Sequence, residues 1–168
     1  MNDILGTVLR TVASEFSDVP DAAQATRIVV RLSLAALLGG FLGWQRERHG
    51  KAAGLRTHML VAMGSALFVL VALQIGVDSG NTSRVIQGVI TGIGFLGAGA
   101  ILKAEGEDSE SHIKGLTTAA GIWLTAAIGI CAGLGKEMTA VISTALALLI
   151  LSVIPMMSKH KTEDRDSA

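Results

Sequence analysis

The run RERHGKAAGLRTH, Arg46 to His58, gathers four cations, two histidines and one acid immediately before the apolar stretch MLVAMGSALF. Arg46, Arg48, Lys51 and Arg56 are suited to phosphate oxygens, those of a lipid surface or of a partner. Glu47 is the one carboxylate among them. Gly50 and Gly54 give the run its turns, with Gly54 free to take a positive φ, and Thr57 is placed to cap the helix that follows. Arg56 and His58 stand beside Leu55 in the first helical turn, where a cation opposes the helix dipole. That local cost predicts a specific partner for Arg56, and Glu47 is the nearest in sequence. Simple anchoring of cations among lipid phosphates explains the charge, but not the compact string AGLRTH.

A second chemistry is cation handling by oxygen ligands. Magnesium takes one or two carboxylates and keeps several waters, yet the apolar runs hold no Asp or Glu; the polar candidates within them are Ser65, Gln74, Gln87, Thr91 and Thr125. Such amides and hydroxyls can touch a hydrated ion or bond neighbouring helices, and helix packing is the simpler role. Asp78 and Asn81, beside Arg84, form a second candidate mouth opposite Glu47; Asp78 and Arg84 serve equally as a surface ion pair. The segment KAEGEDSESHIKG clusters Glu105, Glu107, Asp108 and Glu110, but fits no EF-hand and reads as a solvated acidic loop facing the basic one. No metal ligand set is identified. The lone Cys131 excludes an internal disulfide, and the chain lacks HExxH, CxxC, GxSxG and Walker patterns, so no catalysis is expected.

The elements positioning these groups are membrane spans. Half of the 168 residues are hydrophobic and 17% are charged, with no net charge; soluble domains carry about 25% charged residues. Five runs reach the length of a helical span: Ile28 to Trp44, Met59 to Val77, Val85 to Leu102, Thr117 to Leu134 and Thr139 to Met157, the last ending near Pro155. The first residues, with Ile4, Leu5, Val8, Leu9, Val12 and Phe16 at helical spacing, predict an interfacial amphipathic helix ended by Pro20, with a loosely ordered tail as the alternative. Nine lysines and arginines fall on the side of the first, third and terminal loops and four on the other, which puts the N-terminus outside and the C-terminus in the cytoplasm. Arg31, inside the first span, is expected to snorkel to the outer headgroups.

Small residues crowd the third and fourth spans, with Gly88/Gly92 and Gly129/Gly133 at GxxxG spacing. The two spans are therefore expected to form the packed centre of the bundle. Gly92, Gly94, Gly97 and Gly99 are dense enough that a kinked or broken third span is the alternative.

GWQRERHGKAAGLRTHMLVAMGSALF, SRVIQGVITGIGFLGAGAIL and IKGLTTAAGIWLTAAIGICAGLG together resemble the signature of the MgtC/SapB family, in matching order from Gly43 to Gly135. The resemblance implies a bacterial inner-membrane protein with a periplasmic N-terminus, linked to magnesium, to growth when magnesium is scarce and to virulence. It carries the motif residues Arg46, Glu47, Gly54, Leu55, Arg56, Thr57 and His58, and the packing or pathway residues Gln87, Gly88, Thr91, Gly92, Gly94, Gly97, Gly99, Gly115, Thr117 and Thr118. Gln45 departs from the family's usual ERE, which weakens any site needing two carboxylates there. The soluble C-terminal domain of longer members is not expected after SKHKTEDRDSA.

The resulting expectation is an all-α membrane protein: a periplasmic or interfacial segment 1–21, a transmembrane domain 22–157 and a short cytoplasmic tail 158–168. Two functions remain open. One is magnesium transport along the third span, with Mg2+ as the transported or sensed ion and no cofactor; the other is regulation of another membrane protein. Expected partners are the bilayer, a second copy forming a homodimer, or a membrane protein, and no nucleic acid.

Overall fold

The computed structural model describes the backbone of residues 2–19, 21–102 and 115–166, and the side chains of 4–19, 21–101 and 115–152. The acidic loop and the side chains of the last residues lie outside that description. Six helices make up the described chain: α1 Asn2–Glu15, α2 Ala22–Arg48, α3 Leu55–Gln74, α4 Ser79–Leu102, α5 Leu116–Gly133 and α6 Glu137–Asp166. Two compact units are distinguished, residues 1–30 and 31–168.

In the first unit, α1 presents Ile4, Leu5, Val8, Leu9 and Val12 as exposed apolar side chains. It stops at Glu15, short of Pro20, so the proline is not what ends it; the Ser17 amide and hydroxyl close the terminus by donating to the Ser14 carbonyl. Helix α2 begins with Asp21 as a cap, its Oδ1 accepting the Gln24 N–H at 2.6 Å.

Helices α2, α3, α4 and α5 are long and apolar enough to cross a membrane. The fifth expected span is the shorter apolar part of α6, Glu137–Ser152, although the helix itself runs on through Pro155 to Asp166. The helices overrun the apolar runs at several ends because polar residues sustain the hydrogen-bond ladder outside the hydrocarbon.

In the second unit α3 and α5 meet along their backbones. A Cβ on Gly133 would fall 2.6 Å from the Ala66 carbonyl oxygen, and one on Gly129 would strike that of Ala62. From the other side Gly39 and Gly43 of α2 press on α3; Cβ atoms there would come 2.5 Å from the His58 oxygen and 2.7 Å from the Leu55 Cα. Lipid offers no hydrophobic contrast to leucine, so this backbone approach and its dispersion hold the bundle together. Ala35, Ala62, Ala66 and Ala132 fill the seam between the glycines.

The expected centre is half right. The α5 span is 50% buried, but that of α4 only 11%. Among the described residues a Cβ added at Gly88, Gly92, Gly94 or Gly99 would meet no neighbour within 4 Å, and one at Gly97 would meet Ala119, at 3.6 Å. The helix is unbroken, and among the described residues Gly97 is the one of these five glycines at which α4 packs closely on a neighbour.

Arg31 also departs from expectation. Its Nη1 donates to the Gly133 carbonyl at 3.0 Å and its Nε lies 3.8 Å from Glu137 Oε1, so it serves the C-terminal end of α5 rather than lipid headgroups. Unpaired carbonyls and the negative end of the helix dipole make that terminus a cation site. Fourteen residues further along both helices, from 31 to 45 and from 137 to 151, Gln45 Nε2 donates to the Leu151 carbonyl at 3.0 Å. Helices α2 and α6 therefore run in the same direction, with Leu38, Leu42, Ala140 and Ala147 buried together between them.

Candidate functional site at the α2–α3 turn

The end of α2 is closed by a Schellman pair. Lys51 N–H donates to the Arg46 carbonyl at 3.1 Å and Gly50 N–H to that of Glu47 at 3.0 Å, with Gly50 left-handed at φ 63°. The turn swings Glu47 under the start of α3, where its Oε2 accepts the Leu55 N–H at 2.8 Å. Glu47 thus supplies the cap that Gly54, the residue at the N-cap position, cannot. Gly54 is extended, with φ −101°, so it does not need a positive φ; a Cβ there would sit 2.5 Å from the Glu47 carboxylate. A side chain there would have to displace the carboxylate from its place at the helix start.

The expected Arg56–Glu47 pair does not form. Arg56 and Thr57 are exposed, and the one ion pair among the described residues is Arg31–Glu137. Thr57 lies inside the first turn and caps nothing. A backbone N–H at a helix start competes for the carboxylate, and the fixed turn delivers Glu47 to it.

Arg46 and His58 are 4% and 1% exposed. Arg46 Nη2 donates to Thr118 Oγ1 at 3.3 Å, across to the first turn of α5, while its Nε has no hydrogen-bond partner among the described residues. The Nδ1 of His58 lies 3.0 Å from the Gly54 carbonyl, an acceptor, so this nitrogen carries the proton. Its Nε2 then presents a lone pair, buried and unpartnered, towards Gly121. The helix that supplies Thr118 starts at Gly115, left-handed at φ 95°, where a Cβ would meet the Ala100 carbonyl at 2.6 Å. Three helices thus converge on a polar centre whose fixed charge is positive. Thr117 stays exposed outside it.

Gln45 explains its own departure from the motif pattern. The Leu151 carbonyl would normally accept from the N–H four residues on, which is Pro155 and has none. The Gln45 amide donates to that orphaned oxygen. A carboxylate could not.

Asp78 is a capping residue: its carboxylate accepts from the Asn81 N–H at 2.8 Å and the Asn81 side-chain amide at 3.0 Å. Arg84 is exposed and makes no ion pair with it. Gln87 and Thr91 lie on the exposed side of α4, Thr91 donating to the Gln87 carbonyl at 2.8 Å. Among the described residues no three of His, Cys, Asp and Glu gather as a metal site.

Sequence reasoning treated Arg46 and His58 apart from Thr118 and passed over Gly39, Gly43 and the roles of Gln45 and Arg31. The spacing of Gly39 and Gly43, and the four-residue step from Leu151 to Pro155, are signals that could have found three of these.

The MgtC family model matches residues 32–160, which includes Arg46, His58 and Thr118 and the greater part of the helices that carry them. The chain belongs to the MgtC family. It is 48% identical over 130 residues to Protein SrpB of Synechococcus elongatus, covering 73% of this chain and 71% of that one. It is 41% identical over 145 residues to "Putative magnesium transporter YhiD" of Escherichia coli K12, covering 80% and 64%. Protein MgtC of Brucella abortus is 41% identical over 123 residues, 73% of this chain and 49% of its own. The chain therefore spans about half the length of the MgtC proteins it matches. No solved structure matches it. With four membrane-length apolar helices, this family member is a multi-pass membrane protein.

Proposed function

We propose that the chain is a bacterial inner-membrane protein of magnesium homeostasis, with a periplasmic N-terminus and a cytoplasmic C-terminus, acting without catalysis as a regulator of another membrane protein. The name of the Escherichia coli K12 relative supports the magnesium link, and the lysines and arginines of the short loops support the orientation.

The observation that carries the regulatory reading is buried Arg46, whose contact among the described residues is a neutral hydroxyl. A divalent cation roughly 6 Å from a unit positive charge is repelled by about 6 kcal/mol at an effective dielectric of about 20. A path through the α2–α3–α5 seam would meet that barrier where the glycines already bring backbones into contact. Arg46 and Thr118 instead tie α2 to α5, with His58 of α3 buried beside them.

Transport remains the second reading, favoured by exposed Gln87 and Thr91 on α4. Magnesium flux into liposomes holding only this purified protein, followed with a trapped indicator, separates the two. The regulatory reading expects flux equal to that of empty liposomes from folded protein. Flux above that level, lost on Gln87→Leu or Thr91→Val, establishes transport instead.

A further inference from the structure

Between α2 and α3 runs an apolar groove of about 320 Å3, lined by Leu37, Gly40, Phe41, Trp44, Leu55 and Met59. Phe41 and Trp44 are about half exposed along it. Its lining extends along α2 from Ala36 to Trp44, roughly 12 Å at the helical rise, against a leaflet of roughly 15 Å. The groove reaches the α2–α3 turn at Trp44, and there its character changes. Arg48 lies with its guanidinium carbon 3.9 Å from the centroid of the Trp44 ring. Lys51 and Arg56 are exposed on the same turn. The turn's only acid, Glu47, is already committed to the Leu55 N–H.

We propose that this groove and turn form a binding site for an anionic glycerophospholipid. One acyl chain lies in the groove against Gly40 and Phe41, and the phosphate meets Arg48 and Arg56. Charge complementarity selects this occupant: Arg48 is stacked on Trp44 at one end of an apolar slot that begins within the span, and Lys51 and Arg56 are exposed on the turn that follows, the pattern of a ligand with a hydrocarbon tail and a negative head. Neither groove has a charged residue in its lining; what sets this one apart from the larger groove between α3 and α4, about 630 Å3, is the Arg48 guanidinium stacked on its lining residue Trp44. The proposal needs only that the chain spans a membrane, and stands whether or not the protein conducts an ion.

The chain's two tryptophans, Trp44 and Trp123, supply the test. The full chain carrying Trp123→Phe, with Trp44 as sole fluorophore, is reconstituted in phosphatidylcholine vesicles containing either phosphatidylglycerol or phosphatidylcholine with brominated acyl chains. Quenching by the anionic lipid is expected to give a relative association constant at least about fivefold above that of the zwitterionic one, the factor corresponding to one basic residue near a membrane surface. Arg48→Gln with Arg56→Gln should bring the ratio close to one, Arg48→Lys with Arg56→Lys should keep most of it, and Arg84→Gln should leave it unchanged. The chain carrying Trp44→Phe, which reports from Trp123, should show no preference. Because Arg48 and Arg56 are exposed, the variants should retain their helical circular dichroism. Equal quenching by both lipids, or a preference that survives the double glutamine change, overturns the site. So does shielding of Trp44 that grows with protein density whatever the lipid, which would mean that a second copy covers the groove.

Discussion

Replacing Gln45 by glutamate gives the acid that the family resemblance implies at this position, and the structure expects it to destabilise the bundle. In the native chain the Gln45 amide donates to the Leu151 carbonyl at 3.0 Å from a residue 8% exposed. Glutamate in its charged form has no proton to donate, so the carbonyl that Pro155 cannot serve is left without a donor. Losing one partner and leaving a buried polar group unsatisfied costs about 1–3 kcal/mol, and placing a carboxylate there adds to it. We take about 2 kcal/mol as the expected loss for Gln45→Glu. Pro155→Ala returns an N–H to the helix ladder, so in that background the same change should cost about 1 kcal/mol less. The assay is a double-mutant cycle on reversible unfolding in mixed detergent and dodecyl sulfate micelles, read by helical circular dichroism. Independent sites add to within about 0.5 kcal/mol. Additivity within that margin would refute the link between Gln45 and the proline.

Two other outcomes follow from the packing and the turn. Gly129→Ala places a Cβ against the Ala62 carbonyl and should cost about 2 kcal/mol or more through overpacking, whereas Gly92→Ala, which meets nothing within 4 Å among the described residues, should cost nothing and stabilise by up to about 1 kcal/mol through helix propensity; the same detergent unfolding compares them. Glu47→Ala should cost about 1 kcal/mol as a lost cap, and reversing the charges of both Arg56 and Glu47 should recover none of it, since a lysine or arginine at position 47 cannot accept the Leu55 N–H.

The helices were legible because their cause is one-dimensional: an apolar run long enough for the bilayer has no alternative that satisfies its backbone. Residue partners were less so. Charge pattern paired Arg56 with Glu47, but the winning partner is a backbone N–H whose position depends on a turn closed by Gly50. Arg31 was read against lipid because the end of α5, 102 residues away, is not visible from α2. Glycine spacing marked Gly129 and Gly133, which meet α3, and equally Gly88 and Gly92, which face no neighbour among the described residues, because GxxxG shows that close approach is available without showing that a neighbour takes it. Arg46, His58 and Thr118 were each marked by their motifs, while their convergence belongs to the tertiary structure.

The two anchors between α2 and α6 turn these helices into a matched pair of rulers. Arg31 with Glu137 and Gln45 with Leu151 stand the same number of residues apart on both rods, a separation of roughly 21 Å. Removing or adding a single residue between the anchors on one rod turns its far end by about 100° and slides it by about 1.5 Å, so one anchor must open whenever the other holds. Changes of side chain along the seam are absorbed by degrees; changes of length are not. The spacing itself, more than any one residue within it, is what this pair of helices cannot vary alone.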